Sequence, residues 1–131
     1  MFGLNKKPRP TINTESFSVS YDGKSNCWCL HYKDVEFNFP DVEIDLPSTS
    51  TLDLYLSWVE RHKAHIEENV KAMCEGWEDV FVDPSKYHVS LIEVESDNRI
   101  AVMILGDDTW GDMGYDIWIE DGEITKEGFG D

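Results

Sequence analysis

Ser50-Thr-Leu-Asp-Leu-Tyr-Leu-Ser-Trp-Val-Glu-Arg-His-Lys-Ala-His-Ile-Glu-Glu-Asn-Val-Lys-Ala-Met-Cys-Glu-Gly-Trp77 decides the fold class of this chain. Leu52, Leu56, Val59, Ile66, Val70, Met73 and Trp77 recur in steps of three or four, or sums of them. That is the spacing of one apolar helix face. Glu60, Lys63, Glu67, Glu68 and Lys71 take the other face. Ser50 is a good N-cap, with Asp53 three residues on in a capping-box-like arrangement, and Gly76 is a C-terminal stop. The segment is long for a globular helix, which predicts a kink or a split near His65.

On both sides the period changes from 3.6 to two. Upstream, Phe17–Tyr21 alternates as a strand, Asp22-Gly-Lys-Ser-Asn26 is a turn, and Cys27–Tyr32 returns. Lys33-Asp34 turns the chain into Val35–Phe39. Val42, Ile44 and Leu46 alternate with Asp41, Glu43 and Asp45 as a half-buried strand before Pro47. Downstream come Val80–Val82, Tyr87–Val94 and Arg99–Leu105, the last apolar on both faces as a central strand should be. Tyr115–Glu120 and Glu123–Phe129 follow, joined by Asp121-Gly122, a strong two-residue hairpin signal. Strands, one helical segment and strands again predict an α+β domain. Its antiparallel sheet, an N-terminal and a C-terminal meander, packs against a long or split helix. Residues 1–15, with Lys6, Lys7 and Arg9 among prolines, read as a flexible basic arm, and residues 16–131 as one domain.

The 131 residues carry 11 Lys and Arg against 27 Asp and Glu, a formal charge of −16. Such a chain has no unaided grip on nucleic-acid phosphates or on an anionic membrane, and it favours a basic partner. No apolar run is long enough to span a membrane. No apolar region follows the basic start, so no secretory leader is expected and the cytoplasm is the expected location. Three cysteines, two of them a residue apart at Cys27 and Cys29, are expected as reduced, unliganded thiols.

Few residues suggest catalysis. His62 and His65 are three apart on the helix and could reach one ion, but zinc needs three or four ligands and only Glu67 or Glu68 is at hand. Packed or solvated histidines are the plainer reading. No nucleophile elbow, phosphate-cradling glycine loop or His-Glu-x-x-His occurs. The expectation is therefore no enzyme, no cofactor and no metal.

The most unusual stretch runs from Gly106 to Asp116. Asp107, Asp108, Asp112 and Asp116 surround Trp110, Met113 and Tyr115, between Gly106, Gly111 and Gly114. It fails as a calcium loop, because with Asp108 first the sixth position is Met113 and the twelfth is Ile119. An aromatic anchor amid carboxylates suits a binding hot spot for a basic partner. The competing reading folds Trp110 into the core. Trp118, on the strand face shared by Asp116 and Glu120, extends the candidate surface. The partner-binding set is thus Asp107, Asp108, Trp110, Asp112, Tyr115, Asp116 and Trp118. A second acidic stripe runs through Asp34, Glu36, Asp41, Glu43, Asp45 and Asp53; most such runs are solvated faces.

The layout also resembles a known group. A short meander precedes a helix ending near Glu75-Gly-Trp77. A hairpin, a Gly106-Asp-Asp-x-Trp-Gly loop and the Asp121-Gly122 turn follow. This resembles small bacterial domains of unknown function among the immunity proteins of polymorphic-toxin and contact-dependent growth inhibition systems, over about Phe17 to the end. The resemblance implies a cytoplasmic, non-catalytic protein that binds and neutralises one cognate toxin domain, read here as a basic nuclease. The alternatives are a nucleic-acid-mimicking or other acidic adaptor, and a small ligand-binding domain or enzyme using His62, His65 and the aspartate-rich loop.

Overall fold

The computed structural model describes residues 11–24, 27–40, 47–75, 82–110 and 113–130. Eight strands lie in one sheet in sequence order: β1 (Ile12–Asn13), β2 (Ser18–Asp22), β3 (Cys27–Tyr32), β4 (Val35–Pro40), β5 (Tyr87–Ser96), β6 (Arg99–Gly106), β7 (Gly114–Glu120) and β8 (Glu123–Gly130). Two helices, α1 (Thr49–Arg61) and α2 (Lys63–Cys74), intervene between β4 and β5. The α+β class and the two meanders are as the sequence predicts.

One junction departs from the antiparallel expectation. β4 and β5 pair parallel, Glu36 opposite Leu91, Phe37 opposite Ile92 and Asn38 opposite Glu93. Every other neighbouring pair is antiparallel. The reason is the connection: a parallel neighbour needs a crossover of a dozen or more residues, and the helical segment supplies it. Ile12 and Asn13 pair with Val19 and Ser18, so the expected arm already belongs to the sheet at its end; its first ten residues lie outside the described ones. The strand expected at 42–46 also lies outside them, as does most of Val80–Val82. Val82 itself is buried but not in a strand.

The helix divides at His62, three residues before the expected point. His62 leaves helical geometry at φ −99° and ψ 12° and its ring donates to the Gly122 carbonyl at 2.7 Å. The N-cap is Ser48, not Ser50: its hydroxyl accepts the Thr51 N–H at 3.2 Å. Asp53, freed from a capping role, instead accepts the Tyr32 hydroxyl and Lys33 Nζ, each at 3.0 Å.

Leu52, Tyr55, Trp58 and Val59 of α1 and Ile66, Val70 and Cys74 of α2 are buried, whereas Met73 is exposed. They pack on one face of the sheet, where Val19, Leu30, Phe37, Ile92, Ile100, Val102, Ile104, Tyr115, Ile117 and Ile119 form the core. Burying each branched side chain contributes about 1.5–3 kcal/mol. Polar ties fix the helices across this layer. Tyr55 donates to the Asp97 carbonyl at 3.1 Å, and Arg61 donates to the Gly122 carbonyl at 3.2 Å. The Asp121-Gly122 turn forms as expected, with φ of 51° and 83°, the left-handed pair that a two-residue hairpin requires. Among the described residues no helix is long and apolar enough to cross a membrane.

Candidate functional site

Among the described residues, the opposite face of the sheet carries no helix. Register places its side chains in rows. Ser20, Cys29, Asn38, Glu93, Ala101, Trp118 and Lys126 form one row from β2 to β8; His31, Glu36, Leu91, Met103 and Asp116 form the next. Leu91, Ala101, Met103 and Trp118 therefore meet as an apolar island over β5, β6 and β7. Met103 is 40% exposed, and the other three are half-buried. β6 is interior to the sheet and apolar on both faces, as its sequence reads, but only one face is covered: Ile100, Val102 and Ile104 are buried, whereas Ala101 and Met103 face outward.

Two irregularities build the island. The β5–β6 register shifts between Val89 and Leu91, so Val89 sits opposite Ile104 while Leu91 sits opposite Met103. Two steps along β5 match one along β6, and this bulge turns Leu91 to the open face instead of leaving it with Val89. A second shift, between Trp118 and Ile119, leaves Thr125 as the extra residue of β8. Its hydroxyl donates to the Trp118 carbonyl at 3.3 Å, and Lys126 is aligned with Trp118. The ammonium stands 4.9 Å from the indole centroid, a cation–π distance.

A shallow depression of about 180 Å³ lies there, lined by Leu91, Glu93, Ala101, Met103, Asp116 and Trp118. Glu93 and Asp116 bring carboxylates to its lining, with the Lys126 ammonium over Trp118 beside them; Glu36 stands opposite Leu91 in the register, and His31 and Glu36 approach to 3.6 Å. Such a face can hold an apolar side chain in the middle and cations at the rim.

The candidate residues named from the sequence do not form one cluster. Asp116 and Trp118 lie on this face, joined by Glu36 from the second acidic stripe. Asp107 and Asp108 are exposed at the loop after β6, and Asp112 lies outside the described residues. Trp110 and Tyr115 are corrected from surface anchors to core residues, both fully buried. Trp110 is drawn in because its Nε1 donates to the Asp83 carbonyl at 2.7 Å. Tyr115 points under α2, where Asn69 donates to its hydroxyl and that hydroxyl donates to Glu127. Leu91, Ala101 and Met103 were missed. Ala101 and Met103 could have been read from the alternation of β6, but Leu91 depends on a bulge that no local residue announces.

The two histidines make separate contacts. His62 bonds Gly122, and His65 Nε2 lies 2.9 Å from Glu127, so one ring is anchored at the β7–β8 turn and the other on β8. Glu127 is pushed up by burial, but hydrogen bonds from Tyr115 and His65, the imidazole charge and the Asn69 amide outweigh this and hold its carboxyl below the ordinary range. A larger cleft of about 710 Å³ opens beside α1, lined in part by Lys33, Asp34, Asp53, Glu60 and His88. The Lys33–Asp53 pair, 3.0 Å apart, spans its wall.

Asp22, across the hairpin, stands opposite Cys27 and close to both Cys27 and Cys29. The 22–26 turn could have revealed this, since counting back from it aligns Asp22 with Cys27. No family model, no curated protein and no solved structure matches the chain.

Proposed function

We propose that this protein binds a basic protein domain on the helix-free face of its sheet and acts as an immunity protein that neutralises a cognate toxin. One observation carries the reading: an apolar, tryptophan-bearing island with Glu93 and Asp116 in its lining lies on a chain whose net charge is −16. The resemblance to immunity proteins agrees with it. The long-range field steers a cationic partner toward the face. Contact with Trp118 and Met103 then slows its departure, because desolvated aromatic anchors act on the off-rate. A strand face is rigid before binding, so little ordering entropy opposes the complex. Neutralisation follows if the partner's basic surface, the one that would grip nucleic acid, is covered.

The test uses the polypeptide encoded by the neighbouring gene as probe. A one-to-one complex and protection of growth on co-expression are expected. Trp118→Ala combined with Met103→Glu should abolish both while the thermal midpoint stays near that of the parent. Absence of a complex with the parent overturns the reading. So does full binding by the folded double variant, which would move the interface to Asp107 and Asp108.

A further inference from the structure

The geometry points to a thiophilic divalent-metal site of the kind zinc occupies, held on β2 and β3 by Cys27, Cys29 and Asp22. The hairpin register puts Asp22 directly opposite Cys27, and Cys29 is two residues along on the same face. The two sulfurs are 3.6 Å apart. Two thiolates bound to one tetrahedral zinc, each at about 2.3 Å, stand about 3.8 Å apart, so the pair is already spaced for one ion. All three ligand atoms lie within 4.8 Å of one another, and no other group of three such side chains among the described residues does so. Zinc would bring sulfur and carboxylate oxygen to about 3.5 Å, which a rotation of the Asp22 side chain supplies.

The setting is as telling as the spacing. Cysteine is among the most buried residue types, yet Cys27 and Cys29 are only half-buried, on the outward face of β3. Asp22 accepts the Lys24 N–H at 3.0 Å, a hydrogen bond of the sort that orients ligating carboxylates. Burial pushes the Cys29 thiol up to about 12, with further contributions from the Cys27 hydrogen bond and charge and from Glu36 and Asp22. These neighbours oppose a lone thiolate at Cys29. A divalent ion reverses the balance, because the acids that oppose a thiolate attract a metal. On binding, two S–H bonds break and two metal–sulfur bonds form. Two protons leave to solvent and the metal stays divalent. Three protein ligands leave a fourth tetrahedral position, open to water. This site shares the open face with the docking surface but lies on β2 and β3, at the other end of the row that Cys29 forms with Glu93, Ala101 and Trp118, and it replaces the expectation of unliganded thiols.

The experiment titrates zinc into the untagged, fully reduced chain against a chromophoric chelator, with cobalt(II) as a spectroscopic substitute. One metal per chain and release of two protons are expected. Cobalt should give thiolate charge-transfer absorption with the strong visible bands of tetrahedral coordination. Cys27→Ser and Cys29→Ser should each weaken binding by about a hundredfold or more, and Asp22→Asn by about tenfold. Cys74→Ser should bind as the parent does. A reduced parent that takes up no zinc, or one whose cobalt spectrum lacks thiolate absorption, overturns the site without reference to any variant. Binding that survives both cysteine substitutions overturns it as well.

Discussion

The indole of Trp110 lies on the α-carbon of Gly106: a methyl group at that carbon would come within 1.9–2.2 Å of three ring atoms. The ring is held by its bond to the Asp83 carbonyl and by Tyr87, whose ring centroid is 6.1 Å away. The loop after β6 is thus anchored by an aromatic side chain that only a glycine admits.

Gly106→Ala should therefore destabilise the fold by about 1–3 kcal/mol, the usual cost of overpacking. Trp110→Ala should cost about 3–5 kcal/mol through the cavity it leaves. Urea denaturation checks both. A Gly106→Ala midpoint equal to that of the parent would show that the ring can slide away.

Acid should weaken the tie between α2 and β8. Glu127 has its carboxyl held below 4.5, so its contribution is complete above the unfolded carboxylate's range and is lost as pH falls through the folded value. Glu127→Gln should be about 1–2 kcal/mol less stable than the parent at pH 7. That gap should narrow on acidification below the ordinary carboxylate range. Denaturation at a series of pH values measures it, and a gap constant across the series would remove Glu127 from the acid response.

Gly122 holds φ at +83°, and a Cβ there would stand 2.9 Å from Arg61 Nη1. The guanidinium is the far end of a flexible side chain and can yield, so backbone strain dominates. Gly122→Ala should cost about 1–2 kcal/mol. Gly122→Asn, which tolerates the left-handed region better, should cost less. Equal thermal midpoints for the two variants would assign the loss to Arg61.

Charge at the rim of the open face should govern the rate of association with a basic partner. Neutralising Glu93 and Asp116 together should slow the on-rate and flatten its dependence on salt, with little change in the off-rate. Stopped-flow binding at several ionic strengths distinguishes this from Trp118→Ala, which should act on dissociation.

Periodicity made most of the architecture readable. Helical spacing from Leu52, alternation in β7 and the Asp121-Gly122 turn each pointed to the element that forms, because each is decided by neighbours in sequence. The misplaced features depend on distant partners. Ser48 rather than Ser50 begins α1, and Asp53 is engaged by Tyr32 and Lys33 across the fold. The helix breaks at His62, where Gly122 takes the ring. Trp110 looked like a surface anchor because its acidic neighbours are polar; the Gly106 backbone and Asp83 draw it inward. Of the candidate surface, Asp116 and Trp118 were legible from strand alternation. The contribution of Leu91 was not, since a register shift against β6 creates it.

The parallel seam between β4 and β5 bears on how the chain reaches this structure. Each meander closes through turns of a few residues, with little loss of loop entropy. The seam instead joins Glu36 to Leu91 and its neighbours, about 55 residues apart in sequence. Loop-closure entropy grows with that separation, and non-local pairing forms late in small domains. The two hairpin stacks are expected to nucleate separately, with the helical crossover completing the core as the seam zips. The order of events would be visible as early hydrogen-exchange protection in β6 and β7 and late protection at Phe37 and Ile92.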